Sequence, residues 1–473
     1  MSHLREHPSG FFCRCFCSLI VFAIPQIVGN PQPSCAQEPS LTIAQAVDQA
    51  IRSYPAIKVS LEQVSAAAAG IDLARTAYLP RADFLGQLNR ATRNNTFGLL
   101  LPQSILPSMS GPVLGTNSLT NVWGSAVGFL VSWEPFDFGL RQANVSIAES
   151  GRKRAEAGAE ATRLQVAIAA ADAFLSLLAS KQAVIASQAG VERARILGQV
   201  TEGLAHSGLR PGADAARARA EQALAETQLA LSEQAVDVAR AALANLLGIA
   251  PVGAVVRPDP LLGPPPAADP QAAPLGDHPF ARQQSAVVGE AQALEHALQR
   301  SYFPRFSLQG SVYARGSGAQ VDDSTGGAFA GLGPNIQNWA IGFSMTFPLM
   351  DLYSIRARER VAIHQEQAAA AQYDRTIQDL SGQLDQAKAR LQGARRVAQS
   401  TPAELDAARA AQQQAAARYK SGLGSIVEIA DADRLLTQAD IDNSLANLSV
   451  WRALLGVAAA HGDLQPFLQL ASK

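Results

Sequence analysis

The chain has 473 residues and a formal net charge of −1, and 17% of its residues are charged. This charged fraction is well below the roughly 25% of an average soluble domain. This balance gives no electrostatic argument for a nucleic-acid-binding protein, in which a strongly basic face would be expected. Aromatic residues make up only 6%. Ala, Leu, Val and Ile must therefore pack most of the interior, which favours close helix–helix packing over a wide globular core.

The N-terminal residues 1–36 are predicted to be a signal peptide. Arg5 and Arg14 precede a nine-residue apolar run, and Ser34-Cys35-Ala36 presents the small residues that a signal peptidase recognises. The apolar run is too short to span a bilayer, which needs about 20 residues. Lipidation of Cys35 is the alternative. The chain's four cysteines all lie in this region (Cys13, Cys15, Cys17 and Cys35), so cleavage would leave an exported chain without cysteine.

Two strands are predicted after a first helical region. A helical stripe of apolar residues begins near Leu41 and resumes after Tyr54-Pro55. Strand-like alternation follows at about 81–91 and again at about 122–134, separated by a Gly-, Pro-, Ser- and Asn-rich loop at 94–121. In the second strand large apolar residues alternate with small ones, between Trp123 and Trp133. This pattern is typical of a membrane β-strand with aromatic girdles.

A long helical hairpin completes the first unit, which spans 37–249. Residues 140–205 contain no proline. They predict one helix of about 100 Å at a rise of about 1.5 Å per residue. A tip at 206–213 and a return helix at 214–247 follow. A connector at 250–275, with eight prolines, separates this unit from the next.

The same order of elements recurs over 276–473. Strands are predicted at about 305–314 and 338–347, with Trp339 and Phe347 on the bulky face of the second. A long helix at 352–420, a tip at 420–425 and a return helix at 425–460 follow. The prolines before the strands are spaced 25 residues apart in both units (Pro55 and Pro80, Pro279 and Pro304). The sequence therefore predicts an internal tandem repeat.

One proline disturbs the second long helix. Pro402 lies inside the predicted span 352–420. Proline removes a helical hydrogen bond and its ring clashes with the preceding turn. We therefore expect a kink or break near Gln399.

Four strands with a bulky apolar face cannot close a barrel within one chain. Open strand edges in lipid would leave backbone groups without hydrogen bonds, so neighbouring copies must supply the partners. Three copies would contribute twelve strands. Two helical hairpins likewise lack an interior large enough to bury their apolar faces.

The two tips share a short sequence. Ser207-Gly208-Leu209 matches Ser421-Gly422-Leu423. In the second tip glycine provides a left-handed helix end, and Ser425 with Glu428 predicts a capping box. Glu428 and Asp431 are three residues apart and so lie on one helix face. Repeated around a symmetry axis, they would form acidic rings that favour cations.

These landmarks resemble the outer-membrane efflux protein family, the TolC-like exit ducts of tripartite pumps and type I secretion. The resemblance covers essentially the whole exported chain and is most specific over 418–432. It implies a mixed α and β membrane protein, a homotrimer with a twelve-stranded β-barrel in outer-membrane lipid and an α-helical tunnel in the periplasm. It also implies a periplasmic adaptor and, through it, an inner-membrane transporter as partners.

The resemblance also assigns roles to residues at the tips. It places Glu428 and Asp431 in acidic rings at the tunnel mouth, and Tyr419 and Asp214 in the latch that closes it. The arginine that completes this latch in the family would stand at Gly424, and Arg418 and Arg210 are both candidates to replace it. The adaptor is expected to dock on the two short tip sequences (Ser207, Gly208, Leu209, Ser421, Gly422 and Leu423).

An enzyme is not indicated. The sequence has no nucleophile elbow, Walker motif or paired-carboxylate site, and its histidines have no spacing suited to a metal. No cofactor is predicted. The alternative to a channel is an exported periplasmic coiled-coil structural protein, which would use the same alanine-rich helices without forming a pore.

Overall fold

The computed structural model describes residues 40–92, 120–258, 260–266, 274–320, 322, 324–347 and 349–472. These residues belong to the unit Ser40–Lys473. The predicted signal peptide at 1–36, with all four cysteines, lies outside the described residues. So do residues 94–119 of the predicted loop.

The sequence of helix, two strands, long helix and return helix occurs twice in the described chain, as α2 to α4 and as α5 to α7. The elements are α1 (Ile43–Ser53), α2 (Pro55–Arg75), β1 (Arg81–Thr92), β2 (Asn121–Phe136), α3 (Leu140–His206), α4 (Gly212–Leu247), α5 (Pro279–Arg300), β3 (Arg305–Ser317), β4 (Ile336–Thr346), α6 (Leu352–Lys420), α7 (Ile426–His461) and α8 (Gln465–Leu470). Helix α8 has no counterpart among the predicted elements.

The four strands form one antiparallel sheet in the order β1-β2-β3-β4. Its register aligns four bulky side chains, one from each strand, in a row across one face. The members of the row are Phe84 (64% exposed), Phe129 (60%), Val312 (68%) and Trp339 (76%). The opposite face carries mostly small or polar side chains, of which Ser307, Gln309 and Ser311 are buried, together with the buried Leu130. The face with the bulky side chains is therefore the exposed face of the sheet.

Strand β2 continues through Pro135, two residues beyond its predicted end at 134. Proline has no N–H to donate to the ladder. The pairing with β3 shifts register between Trp133 and Phe136 and resumes with Phe136 opposite Phe306. This local irregularity lets the strand pass a residue that would otherwise end it.

The helices lie side by side around α3. Helix α3 packs between α2 and α5 near the sheet, and between α4 and α7 towards the tips, while α6 packs on α5 and α7. One stretch of α3 is apolar and long enough to cross a membrane by length and composition alone. In this fold, however, Phe174 and Leu177 of α3 are fully buried in a core shared with Trp451 and Phe467.

Of the kink or break expected near Gln399, the break does not occur. Helix α6 runs without interruption from Leu352 to Lys420 with Pro402 inside it. On the C-terminal side of the proline, Leu405 and Ala408 are buried in a cluster with Leu436 and Ala439 of α7. Packing against α7 therefore holds the helix together although one backbone hydrogen bond is missing.

Replacing this proline is expected to stabilise the fold. Pro402→Ala restores the missing N–H and removes the ring clash, which together cost an isolated helix about 3 kcal/mol. We expect the temperature at which helical circular dichroism is lost to rise. Glu404→Ala, an exposed change two residues away, is the control and is expected to leave it unchanged. A lower unfolding temperature for Pro402→Ala would contradict this account.

Candidate functional site

The two helix tips turn in the same way. Gly208 and Gly422 adopt left-handed backbone conformations, with φ of +70° and +80°. In each tip the N–H of the following leucine bonds the carbonyl five residues earlier, at 2.9 and 2.8 Å, and the glycine N–H bonds the carbonyl three residues earlier. These bonds define a Schellman motif, which favours glycine. Leu209 and Leu423 consequently project outwards, 71% and 73% exposed.

The capping box predicted at the start of α7 is only half formed. The Ser425 hydroxyl accepts a hydrogen bond from the Glu428 N–H at 3.3 Å. The Glu428 carboxylate does not return the bond to Ser425. Its Oε2 lies 3.6 Å from Nε of Arg418 instead. An arginine on the preceding helix therefore competes with the cap for this side chain.

Tyr419 is the centre of the contact between the two tips. Its side chain is 1% exposed and lies in a small apolar cluster. The other buried members of the cluster are Leu197, Ala218, Ile426 and Ile429. The phenol donates a hydrogen bond to Oδ2 of Asp214 on α4 at 3.4 Å. The structure thus brings together the tyrosine and the aspartate that sequence assigned to one site.

Arg210 is the arginine that reaches Tyr419. Its Nη2 donates to the carbonyl oxygens of Tyr419 at 3.1 Å and Gly424 at 3.3 Å, and its guanidinium lies 4.8 Å from the Tyr419 ring centroid. Arg418 instead donates to the carbonyl of Leu423 at 3.2 Å. A Cβ at Gly424 would lie 3.2 Å from the Tyr419 nitrogen, so a side chain there would be crowded. The first tip therefore supplies the cation that spans to the second.

Glu428 and Asp431 are both exposed, and each has an arginine partner. Glu428 faces Arg418, and Asp431 Oδ1 lies 3.5 Å from Nη1 of Arg434. Arg434 also binds Glu221 of α4, with Nε 3.0 Å from Oε2. The sequence analysis identified the two acids but missed Arg434 and Glu221. Their contact joins residues 213 positions apart, which no local pattern reveals.

A second polar contact, also missed, joins α3, α6 and α7. Arg193 donates to Asp440 at 3.3 Å and to Thr437 at 2.7 Å, and Gln412 donates to Asp433 at 3.0 Å. Burial raises the pKa of Asp433, against the opposing effects of Gln412 and Arg193. The i, i+4, i+7 spacing of the three α7 residues places them on one helix face, and this spacing was a usable sequence signal.

A groove of about 500 Å³ lies beside the tips between α3, α4 and α7. Gly190 and Ala194 of α3, Leu224 of α4 and Ile441 of α7 contribute to its lining. The small side chains of Gly190 and Ala194 leave room along α3 in this groove. Among the described residues, no group of three or more His, Cys, Asp or Glu side chains could hold a metal ion.

The Arg210 guanidinium donates to the carbonyl oxygens of both Tyr419 and Gly424, a contact we call the Arg210 fork. Removing this fork is expected to loosen the second tip. Arg210→Ala deletes two hydrogen bonds from a charged donor, each worth about 1.5–3 kcal/mol when made in a protein. Hydrogen exchange at the Leu423 and Gly424 amides is expected to accelerate by at least about tenfold. Arg219→Ala, an exposed arginine on the same helix hairpin, is the control and is expected to change nothing. Equal exchange in wild type and Arg210→Ala would show that the fork does not hold the tip.

The ionisation of Tyr419 reports the same contact. Burial raises the pKa of the phenol, the Asp214 charge raises it further, and Arg210 opposes both. The folded tips therefore favour the protonated phenol. The stabilisation that the protonated phenol gives the folded tips is fully present below the unfolded-state tyrosine pKa of about 10. It is lost as the pH rises through the higher folded-state pKa of Tyr419. We expect the difference in tyrosinate absorbance between wild type and Tyr419→Phe to have its titration midpoint at a higher pH than free tyrosine has.

Asp214→Asn provides the matched comparison for this titration. It removes the charge and keeps the size of the side chain, so the Tyr419 midpoint is expected to fall towards the value of free tyrosine. A wild-type midpoint at or below that of free tyrosine would contradict the buried contact.

Known proteins share this arrangement of strands and long helices. The sequence profile of the outer membrane efflux protein family matches residues 46–249 and 277–463. Protein CyaE of Bordetella pertussis is 24% identical over 447 residues, which cover 93% of this chain and 88% of CyaE. The CmeC outer membrane channel of Campylobacter jejuni is 18% identical, with a TM-score of 0.71 over 89% of this chain and 85% of CmeC. The open-state MtrE outer membrane channel of Neisseria gonorrhoeae is 19% identical, with a TM-score of 0.66 over 89% of each chain. The predicted family and the outer-membrane location are confirmed: the chain belongs to the outer membrane efflux protein family.

Proposed function

We propose that three copies of this chain assemble into an outer-membrane exit duct for efflux or secretion. The observation that carries the proposal is the sheet, whose bulky side chains are exposed along a full row and whose edge strands are β1 and β4. In lipid, each edge needs a strand from another copy to satisfy its backbone groups. Four strands from each of three copies give an even-numbered closed barrel of twelve.

The helices support the same assembly. Leu224, Leu231 and Val238 are exposed on α4 and repeat every seven residues, which places them along one line of the helix surface. Helix α4 is at one side of the layer and α6 is at the other. In the proposed trimer, α6 of the next copy covers this line, and the helices close into a periplasmic tunnel. Because of the tandem repeat, each subunit would then contribute two similar helical hairpins to the tunnel wall, α3–α4 and α6–α7.

Aromatic residues are proposed to mark the two membrane surfaces. Trp133 donates its indole N–H to the Tyr78 carbonyl at 3.1 Å, near the helical end of β2, and Trp123 lies at the other end beside Arg90. Trp339 is in register with Phe129 in the middle of β2. Because barrel strands are tilted by about 35–45°, such a row runs obliquely to the membrane surface. Phe347, just beyond β4, completes the proposed girdle.

The paired tips are proposed to form the constricted inner end of the tunnel. Tyr419, Asp214 and Arg210 hold the two hairpins of a subunit together, and Glu428 and Asp431 line the mouth. The six residues of the two tip sequences, with the exposed Leu209 and Leu423, present the surface on which a periplasmic adaptor docks. Transport through the duct is passive, with energy supplied by an inner-membrane transporter that acts through the adaptor.

The orientation of the sheet tests this function. Ile341→Arg places a charge on the bulky face, where arginine in a membrane barrel costs about 2–4 kcal/mol at mid-bilayer. Ala340→Arg, its neighbour on the opposite face, is the matched control. We expect wild type and Ala340→Arg to appear in the outer membrane as trimers that form pores in planar bilayers, and Ile341→Arg to be lost from that fraction.

The alternative periplasmic stalk predicts another result. If water bathes both faces of the sheet, Ile341→Arg is tolerated as well as Ala340→Arg, and no preparation forms pores. That result would reject the duct.

A further inference from the structure

The tip segments are not acidic as a whole. Residues 206–221 and 418–434 together contain six lysines and arginines against five aspartates and glutamates. An aperture that selects cations through acidic rings needs an excess of negative charge at the constriction. The composition of these segments does not provide one.

Arg418 is held where it neutralises Glu428. Its Nη2 donates to the Leu423 carbonyl at 3.2 Å, which ties the side chain to the turn. From this position its Nε lies 3.6 Å from Glu428 Oε2. The Glu428 N–H is fixed by Ser425. The turn therefore fixes Arg418 on one side and the Glu428 backbone on the other. This geometry places the Arg418 guanidinium beside the Glu428 carboxylate.

Arg434 places a second positive charge beside the other acid. It forms two hydrogen bonds to Glu221, whose side chain is nearly buried, and its Nη1 lies 3.5 Å from Asp431. Arg217 also approaches Glu221, at 4.0 Å. Two arginines therefore face two carboxylates at this level of the tip, and the local charge balances.

We propose that Arg418 and Arg434 cancel the charge of the Glu428 and Asp431 rings, so that the tunnel mouth passes anionic and zwitterionic solutes about as readily as cations. This inference rests on the proposed function, because it requires that these residues line the mouth. The Arg418–Glu428 and Arg434–Asp431 pairs are exposed, and exposed ion pairs add little to stability. A passing ion nevertheless senses both members of each pair, because charges within a Debye length of about 8 Å of the ion are not fully screened from it.

The test is the ratio of potassium to chloride permeability of single channels in planar bilayers under a salt gradient. For wild type we expect a ratio within about twofold of one. Arg418→Gln with Arg434→Gln leaves the acids unpaired, and the ratio is expected to rise by about threefold or more in favour of potassium. Glu428→Gln with Asp431→Asn in the otherwise unchanged chain is expected to shift the ratio towards chloride.

A matched control removes the same two charges elsewhere on the tips. Arg219 and Lys420 are exposed and form no ion pair with the residues that the structure describes. Arg219→Gln with Lys420→Gln is expected to leave the ratio close to wild type. If Arg434→Gln weakens assembly through the loss of its Glu221 contact, Arg418→Gln alone still tests one ring. Its ratio is expected to move in the same direction.

The possible outcomes distinguish a failure of charge cancellation from a failure of the proposed duct. Pores with a wild-type ratio strongly in favour of potassium, unchanged in the double arginine variant, would overturn charge cancellation and leave the duct intact. A control variant that shifts the ratio as much as the double arginine variant would also overturn it. Trimers that form no pores would overturn the proposed duct and this inference with it.

Discussion

The backbone hydrogen bonds of a four-stranded sheet are the constraint from which the assembly follows. Each inner strand pairs on both sides, but β1 and β4 pair on one side only within the chain. In water such edges can bind solvent, whereas in lipid they cannot. In the proposed barrel, the exposed row of Phe84, Phe129, Val312 and Trp339 faces lipid, which accommodates large apolar side chains better than water does. If this sheet lies in the membrane, as proposed, its two edge strands need partners from other copies, and the exposed faces of the helices would then be covered by the same neighbours.

The tips show how a repeated sequence is adapted to two different tasks. Both turns end in the same glycine-centred motif, and both expose a leucine at the apex. The side chains around them differ: the first tip contributes Arg210 and the second contributes the buried Tyr419. Equivalent backbones thus carry complementary halves of one contact. Arg210 thus makes this contact without a side chain at Gly424, where one would be crowded.

Much of the fold could be predicted from sequence because its elements are long and strongly periodic. Alternation over Trp123 to Trp133 and the absence of proline over 140–205 are local signals, and local signals survive in a single sequence. No break forms at Pro402 because packing of Leu405 and Ala408 on α7 outweighs one missing hydrogen bond. The choice of Arg210 over Arg418, the Arg434–Glu221 pair and the Arg193 contacts join distant positions. Only the packing of the helices decides these partners.

The chemistry of the Arg210 contact makes it insensitive to the salt concentration around the protein. The fork binds two carbonyl oxygens and an aromatic face, and these are dipoles and a quadrupole at contact distance. Mobile counter-ions weaken interactions between exposed full charges far more than they weaken such short, half-buried contacts. Tyr419 and Asp214 likewise meet through a phenol and a carboxylate, with no second full charge required. The junction between the hairpins would therefore hold in fresh water and in brine alike.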